Sequence, residues 1–149
     1  MDYDWGFSWK GFLVVVLPMI PNLLYFANPK LIPTRGSGKS HKALDLIEHG
    51  SQFVYIALLV IVLSKQTISF KSNYIIGMAI FLIAYYVLWI LLFAGHTNRL
   101  VHFCLAIFPV IYFILAEMWL YNYFAIVPTI IFGVAHTVIT YKDFISARP

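Results

Sequence analysis

Apolar and polar positions in this chain fall into long blocks instead of the short alternations of a soluble fold. Five stretches, 9–28, 45–64, 73–95, 99–119 and 122–141, are almost wholly apolar. A helix of about 20 residues, rising 1.5 Å per residue, crosses the roughly 30 Å hydrocarbon core of a bilayer. The pattern therefore predicts an all-α fold, a polytopic membrane protein in which residues 1–149 form one compact bundle of about five transmembrane helices. Between the first two spans, 29–43 reads PKLIPTRGSGKSHKA, and its Pro, Gly and Ser exclude a regular element. Ser40 is placed to cap a helix that starts at His41. Only Tyr121, Asn122 and Tyr123 separate the last two spans, which predicts a tight turn.

Composition says what surrounds the bundle. The chain is 62% hydrophobic and 11% charged, with a mean hydropathy of +0.85. Soluble domains carry about 25% charged residues, so the expected partner of this surface is the lipid bilayer. A net charge of +4, thinly spread, excludes nucleic acid and instead reports orientation. With the N-terminus outside, Lys30, Arg35, Lys39, Lys42, Arg99, Lys142 and Arg148 fall on the cytoplasmic side. Lys10, Lys65 and Lys71 fall outside, a split of seven against three. The expectation is N-terminus outside, C-terminus cytoplasmic. Trp5, Trp9, Trp119, Tyr121 and Tyr123 then read as interfacial anchors on the outer face. The opening MDYDWGFSWK lacks the basic start of a signal peptide, so the first helix is expected to be retained. Cys104 is the only cysteine, which excludes an intrachain disulfide and a Cys-x-x-Cys pair. RGSGKS ends like a phosphate loop, but Pro33 stands where that motif needs glycine, and nucleotide binding is rejected.

The remaining polar residues converge at one depth. In this topology Asn22 lies in the inner half of helix one, and Glu48, His49, Ser51 and Gln52 open helix two. His96, Asn98, Arg99 and His102 surround the third turn, and His136, Thr137 and Thr140 end helix five. Asp45, Glu48 and Gln52 share a side of helix two, as do Arg99, His102, Ala106 and Pro109 on helix four. Thr129, Gly133, Thr137 and Thr140 line one side of helix five, with His136 beside them. Polar side chains are costly against lipid, so these faces are expected to point inward. Pro18 and Pro21 add to this band, because they deprive the Val14 and Leu17 carbonyls of their helical donors. Such a break is able to aim Asn22 and free carbonyls into a polar site; the plainer reading is a kink with Asn22 bonded to a neighbouring helix.

Each candidate has a structural alternative. Glu48 and His49 sit where a hydrated helix end is expected, Arg99 where a side chain snorkels to phosphates. His102 and His136 lie about a turn deeper. Glu117, alone near the outer end of helix four, reads as interfacial. The histidines with Glu48 supply metal-ligand types but no ligand spacing, and haem would need two of them facing each other. No metal set and no cofactor is assigned, and whether the chain is an enzyme is left open.

The pieces PMIPNLLYF (18–26), IEHGSQF (47–53) and AHTVITYKDF (135–144) resemble a group of small multi-spanning membrane proteins of Gram-positive bacteria. The resemblance implies a bacterial plasma membrane and no known activity. Taken together, the expectation is a multi-pass membrane protein with a polar His/Glu/Arg cavity on the cytoplasmic side, binding or transporting a small polar or anionic ligand. Its expected ligand-binding residues are Asn22, Glu48, His49, His96, Asn98, Arg99, His102, His136, Thr137 and Thr140. The alternatives are a membrane-embedded enzyme or metal- or haem-binding protein using the same histidines, or an accessory or immunity subunit. Five spans are few for an independent transporter, which favours a homo-oligomer or a larger membrane complex.

Overall fold

The computed structural model describes residues 2–28 and 42–146, with side chains described as far as Asp143. The 29–41 stretch, with the Ser40 cap and the rejected phosphate motif, lies outside them. Among the described residues five helices carry the fold: α1 (Trp9–Ala27), α2 (Lys42–Ile61), α3 (Asn73–Phe93), α4 (Arg99–Trp119) and α5 (Tyr123–Ser146). Each is long and apolar enough to cross a membrane. Two short strands, β1 (Tyr3–Trp5) and β2 (Val62–Ser64), form an antiparallel ribbon with Tyr3 opposite Ser64 and Trp5 opposite Val62.

Local chemistry sets the helix ends. Ser8, Ser72 and Asn98 are N-caps whose side chains accept from the backbone of Gly11, Tyr74 and Val101. At the other end, Gly95 (φ 86°) closes α3 and Tyr121 (φ 54°) closes α4. In both, the following N–H reaches back to the helix, from His96 to Leu91 O and from Asn122 to Glu117 O. That satisfies carbonyls the helix would otherwise leave open. Glycine adopts this left-handed conformation without cost, whereas Tyr121 requires support from its surroundings.

The boundaries correct the sequence reading at α2. The expected span 45–64 starts earlier, at Lys42, and stops at Ile61, because Val62–Ser64 leave the helix to pair with β1. Three-residue strands are too short to leave a periodic signal, which is why the ribbon is invisible in the hydropathy pattern. The C-terminal ends of α1 and α3 and the start of α5 differ from expectation by one or two residues, and α5 continues to Ser146.

The helices α3 and α4, α2 and α5, and α4 and α5 pack along most of their length, and α1 leans on α2, α4 and α3. Gly11 makes the α1–α2 contact: a Cβ there would lie 1.8 Å from Leu59 O. Tyr55, Leu59, Tyr112, Phe113, Ala116 and Phe132 form the centre of the core. Outward faces are apolar. Ile76, Ile80, Ile83, Val87 and Ile90, spaced three and four apart, are all exposed on α3, a surface suited to acyl chains and unsuited to water.

The prolines of α1 find a specific solution. Val14 O, stripped of its donor by Pro18, accepts the Tyr112 hydroxyl of α4 at 3.2 Å. Leu17 O, stripped by Pro21, accepts the Tyr86 hydroxyl of α3 at 2.6 Å. Two tyrosines thus replace two backbone donors and tie α1 to its neighbours.

Candidate functional site

A cavity of about 290 Å³ lies among the five helices in the half away from the ribbon. Glu48 and Gln52 of α2, His136 of α5 and Asn22 of α1 supply its polar lining. Phe26, Tyr55, Tyr85, Phe113 and Phe132 supply aromatic walls, and Pro18 and Pro109 complete them. The helical positions explain the convergence. Glu48, Gln52, Tyr55 and Leu59 follow the i, i+4, i+7, i+11 steps of one α2 face, and Thr129, Phe132 and His136 follow i, i+3, i+7 on α5. Because α2 and α5 run antiparallel, the first residue of one set meets the last of the other.

Glu48 and His136 are in direct contact: Nδ1 of the imidazole lies 2.5 Å from Oε1 of the carboxylate. Nδ1 is the ring nitrogen that faces Glu48, which leaves Nε2 as the ring's other functional atom. Phe132 holds the imidazole from below, with its ring centroid 5.2 Å away and nearly parallel. The two side chains keep 13% and 33% of their surface accessible, so the pair communicates with the exterior. Asn22 donates to the Tyr85 hydroxyl at 3.0 Å and to Pro18 O at 3.2 Å. The plainer reading of the α1 prolines is therefore what the contacts match, and Asn22 lines the cavity as well.

Other candidates fall elsewhere. His49 is exposed, its Nδ1 2.7 Å from Asp45 O in its own helix. His96 is exposed in the α3–α4 turn, and Asn98 serves as the α4 cap. Arg99 lies over the Tyr141 ring, 5.0 Å from its centroid. His102 is half-buried, with Nδ1 3.0 Å from Asn98 O, and is not among the cavity lining. Thr137 faces an apolar groove with Ile107, Val110 and Gly133, and Thr140 is half-buried. The polar band is thus divided: Asn22, Glu48 and His136 come together, and the rest distribute over helix ends and outer faces.

Glu117 departs furthest from expectation. It is fully buried, not interfacial, and it accepts a hydrogen bond from the Thr129 hydroxyl. The α4–α5 turn brings the start of α5 back against α4, so Glu117 faces protein instead of head groups. Sequence reading also passed over Tyr55 and Tyr85, although the spacing from Glu48 through Gln52 was enough to put Tyr55 on the same face.

The chemistry available is a carboxylate–imidazole pair in an aromatic chamber. Such a pair is able to bind a donor or exchange a proton. Among the described residues no serine, threonine, cysteine or lysine side chain lines the chamber. Among the described residues no three His, Cys, Asp or Glu side chains are grouped to hold a metal ion. No protein-family model, curated protein or solved structure matches this chain.

Proposed function

We propose that this chain is a multi-pass membrane protein whose central chamber binds, and moves between membrane and cytoplasm, a small polar molecule with an apolar body. The observation that carries the reading is the Glu48–His136 pair inside an aromatic cavity of about 290 Å³. Five apolar helices support the membrane assignment, and the seven-to-three lysine and arginine split favours a cytoplasmic mouth. Arg99 does not line the chamber, so the ligand class narrows. A carboxylate among Phe26, Tyr85, Phe113 and Phe132 suits a hydrogen-bond donor or a positive charge, since aromatic faces attract cations. An amine or a neutral polar solute fits better than an anion.

Thermal-shift measurements on the purified protein, with parallel panels of organic amines, neutral polyols and organic acids, test this. Stabilisation by an amine or a neutral solute, weakened at least about tenfold in apparent affinity by Glu48→Gln, is the expected outcome. Stabilisation only by acids, or equal response in the variant, would move the ligand site away from Glu48.

A further inference from the structure

The chamber ends at Tyr55, and a second acidic group lies just beyond it. Glu117 is fully buried. One carboxyl oxygen accepts from Thr129, while Oε2 has no hydrogen-bond partner among the described residues. Seven residues separate Thr129 from His136 on α5, so this carboxyl lies about 10 Å deeper than the Glu48–His136 pair. Tyr55 stands between the two levels. Its ring packs on Phe113 and Phe132, with centroids 5.0 and 5.4 Å away. Phe113 lies four residues before Glu117 on α4 and Phe132 three residues after Thr129 on α5, so the Tyr55 ring sits about one helical turn from the Glu117–Thr129 contact, with Gln52 one turn away on its chamber side. Among the described residues Glu117 has no salt bridge: α5 contributes the Thr129 hydroxyl, the α4–α5 turn contributes buried Asn122, and the core-cluster side chains of α1, α2 and α3 (Val14, Val15, Tyr55 and Met78) carry no positive charge. An ionisable group in the apolar half of a membrane bundle is costly to keep and calls for a use.

We propose that Glu117 is an intramembrane proton-binding site that exchanges with the chamber through the Tyr55 hydroxyl. A proton reaching the phenol oxygen from chamber water displaces the hydroxyl's own proton onto Oε2, directly or through one water. One proton is transferred and no bond to carbon changes; release runs the same steps backwards. Gln52, the Tyr55 hydroxyl and Glu117 then form a polar file along the α2 face that begins at Glu48. The inference takes from the ligand reading only that the chamber admits water, and its test uses other residues, so either can fail alone.

Infrared difference spectroscopy of the full chain in lipid membranes, stepped in pH, reads the site directly. The expected result is a protonated-carboxyl C=O band that titrates, disappears in Glu117→Gln and exchanges with deuterium roughly tenfold more slowly in Tyr55→Phe. Thr129→Val keeps the carboxyl and removes its donor, so the same band should move to higher frequency; this identifies it even if the glutamine variant does not fold. A titrating band that persists unchanged in both Glu117→Gln and Thr129→Val overturns the assignment. Deuterium exchange as fast in Tyr55→Phe as in the wild type overturns the route. A band that responds to sodium at constant pH makes the site a cation site instead.

Discussion

The two ends of the bundle differ in what their polar residues tie together. At the ribbon end Asn122, Tyr3 and Trp119 bond the backbone of other segments, above the buried Glu117–Thr129 pair. Asn122 donates to Leu58 O at 2.7 Å and to Val62 O at 3.4 Å, Tyr3 donates to Tyr121 O, and Trp119 donates to Ser69 O. The α4–α5 turn, the ribbon and the end of α2 are thereby fastened to one another, and Gly11 lets α1 come close enough to join them. At the other end the backbone contacts of His49, His102 and Asn22, with Asp45, Asn98 and Pro18, stay within one helix and its cap, and the Glu48–His136 pair joins α2 to α5 beside a cavity. Buried polar groups must be satisfied, and satisfying them with backbone yields rigidity. Satisfying one side chain with another leaves atoms free for a ligand. The contrast locates the chamber.

The comparison is tested most severely at Gly11. Because a Cβ there meets backbone, not a flexible side chain, Gly11→Ala should cost at least about 3 kcal/mol, at or beyond the upper end of overpacking effects. Denaturant titration of the protein in lipid checks this, and near-wild-type stability would mean the ribbon end is not rigid. Asn122→Ala should follow, at about 1–3 kcal/mol, since it strips side-chain donors from the last turn of α2 and β2. A loss smaller than that of Glu48→Gln in the same titration would reverse the assignment of the two ends.

A finer test concerns the α1 prolines, between the two ends. Tyr86→Phe should cost about 1 kcal/mol by leaving Leu17 O without a donor. In a Pro21→Ala background the backbone N–H returns, so the same change should cost close to nothing. A double-mutant cycle measures that coupling; additive effects would show that the tyrosine does not substitute for the missing donor. The smallest effect is expected at the open end. His49→Ala should change stability by less than about 0.5 kcal/mol and leave amine binding unaltered, and a loss of binding would extend the site beyond the chamber.

Much of this was legible in the chain. Helix number, the approximate spans and the 121–123 turn follow from apolar block length, which a bilayer-spanning helix dictates residue by residue. Pro18 and Pro21 announced two carbonyls in need of donors, and Glu48 and His136 were identifiable as polar groups at a common depth. What the pattern lacked was rotation. Hydropathy assigns each residue a depth, but two residues at one depth face each other only if their helices turn the right sides together. His102 and Arg99 share the depth of the chamber and fall outside its lining, whereas Tyr55, apolar by most of its surface, forms its floor.

Tertiary structure also decided the matters that depend on pairing between distant segments. The ribbon joins residues about 60 positions apart through backbone groups, which any sequence possesses, so no side-chain pattern marks it. The donors for Val14 O and Leu17 O come from helices four and three, and their identity rests on packing. Glu117 is the clearest case. From the chain it is a charge one turn from a helix end, the expected place for an interfacial residue. Only the return of α5 across it, with Thr129 at hydrogen-bonding distance, makes it buried. Sequence by itself determined the elements and their depth, because these depend on local composition and backbone geometry. The fold alone determined which polar groups meet, because that depends on the relative rotation and close approach of helices far apart in the chain.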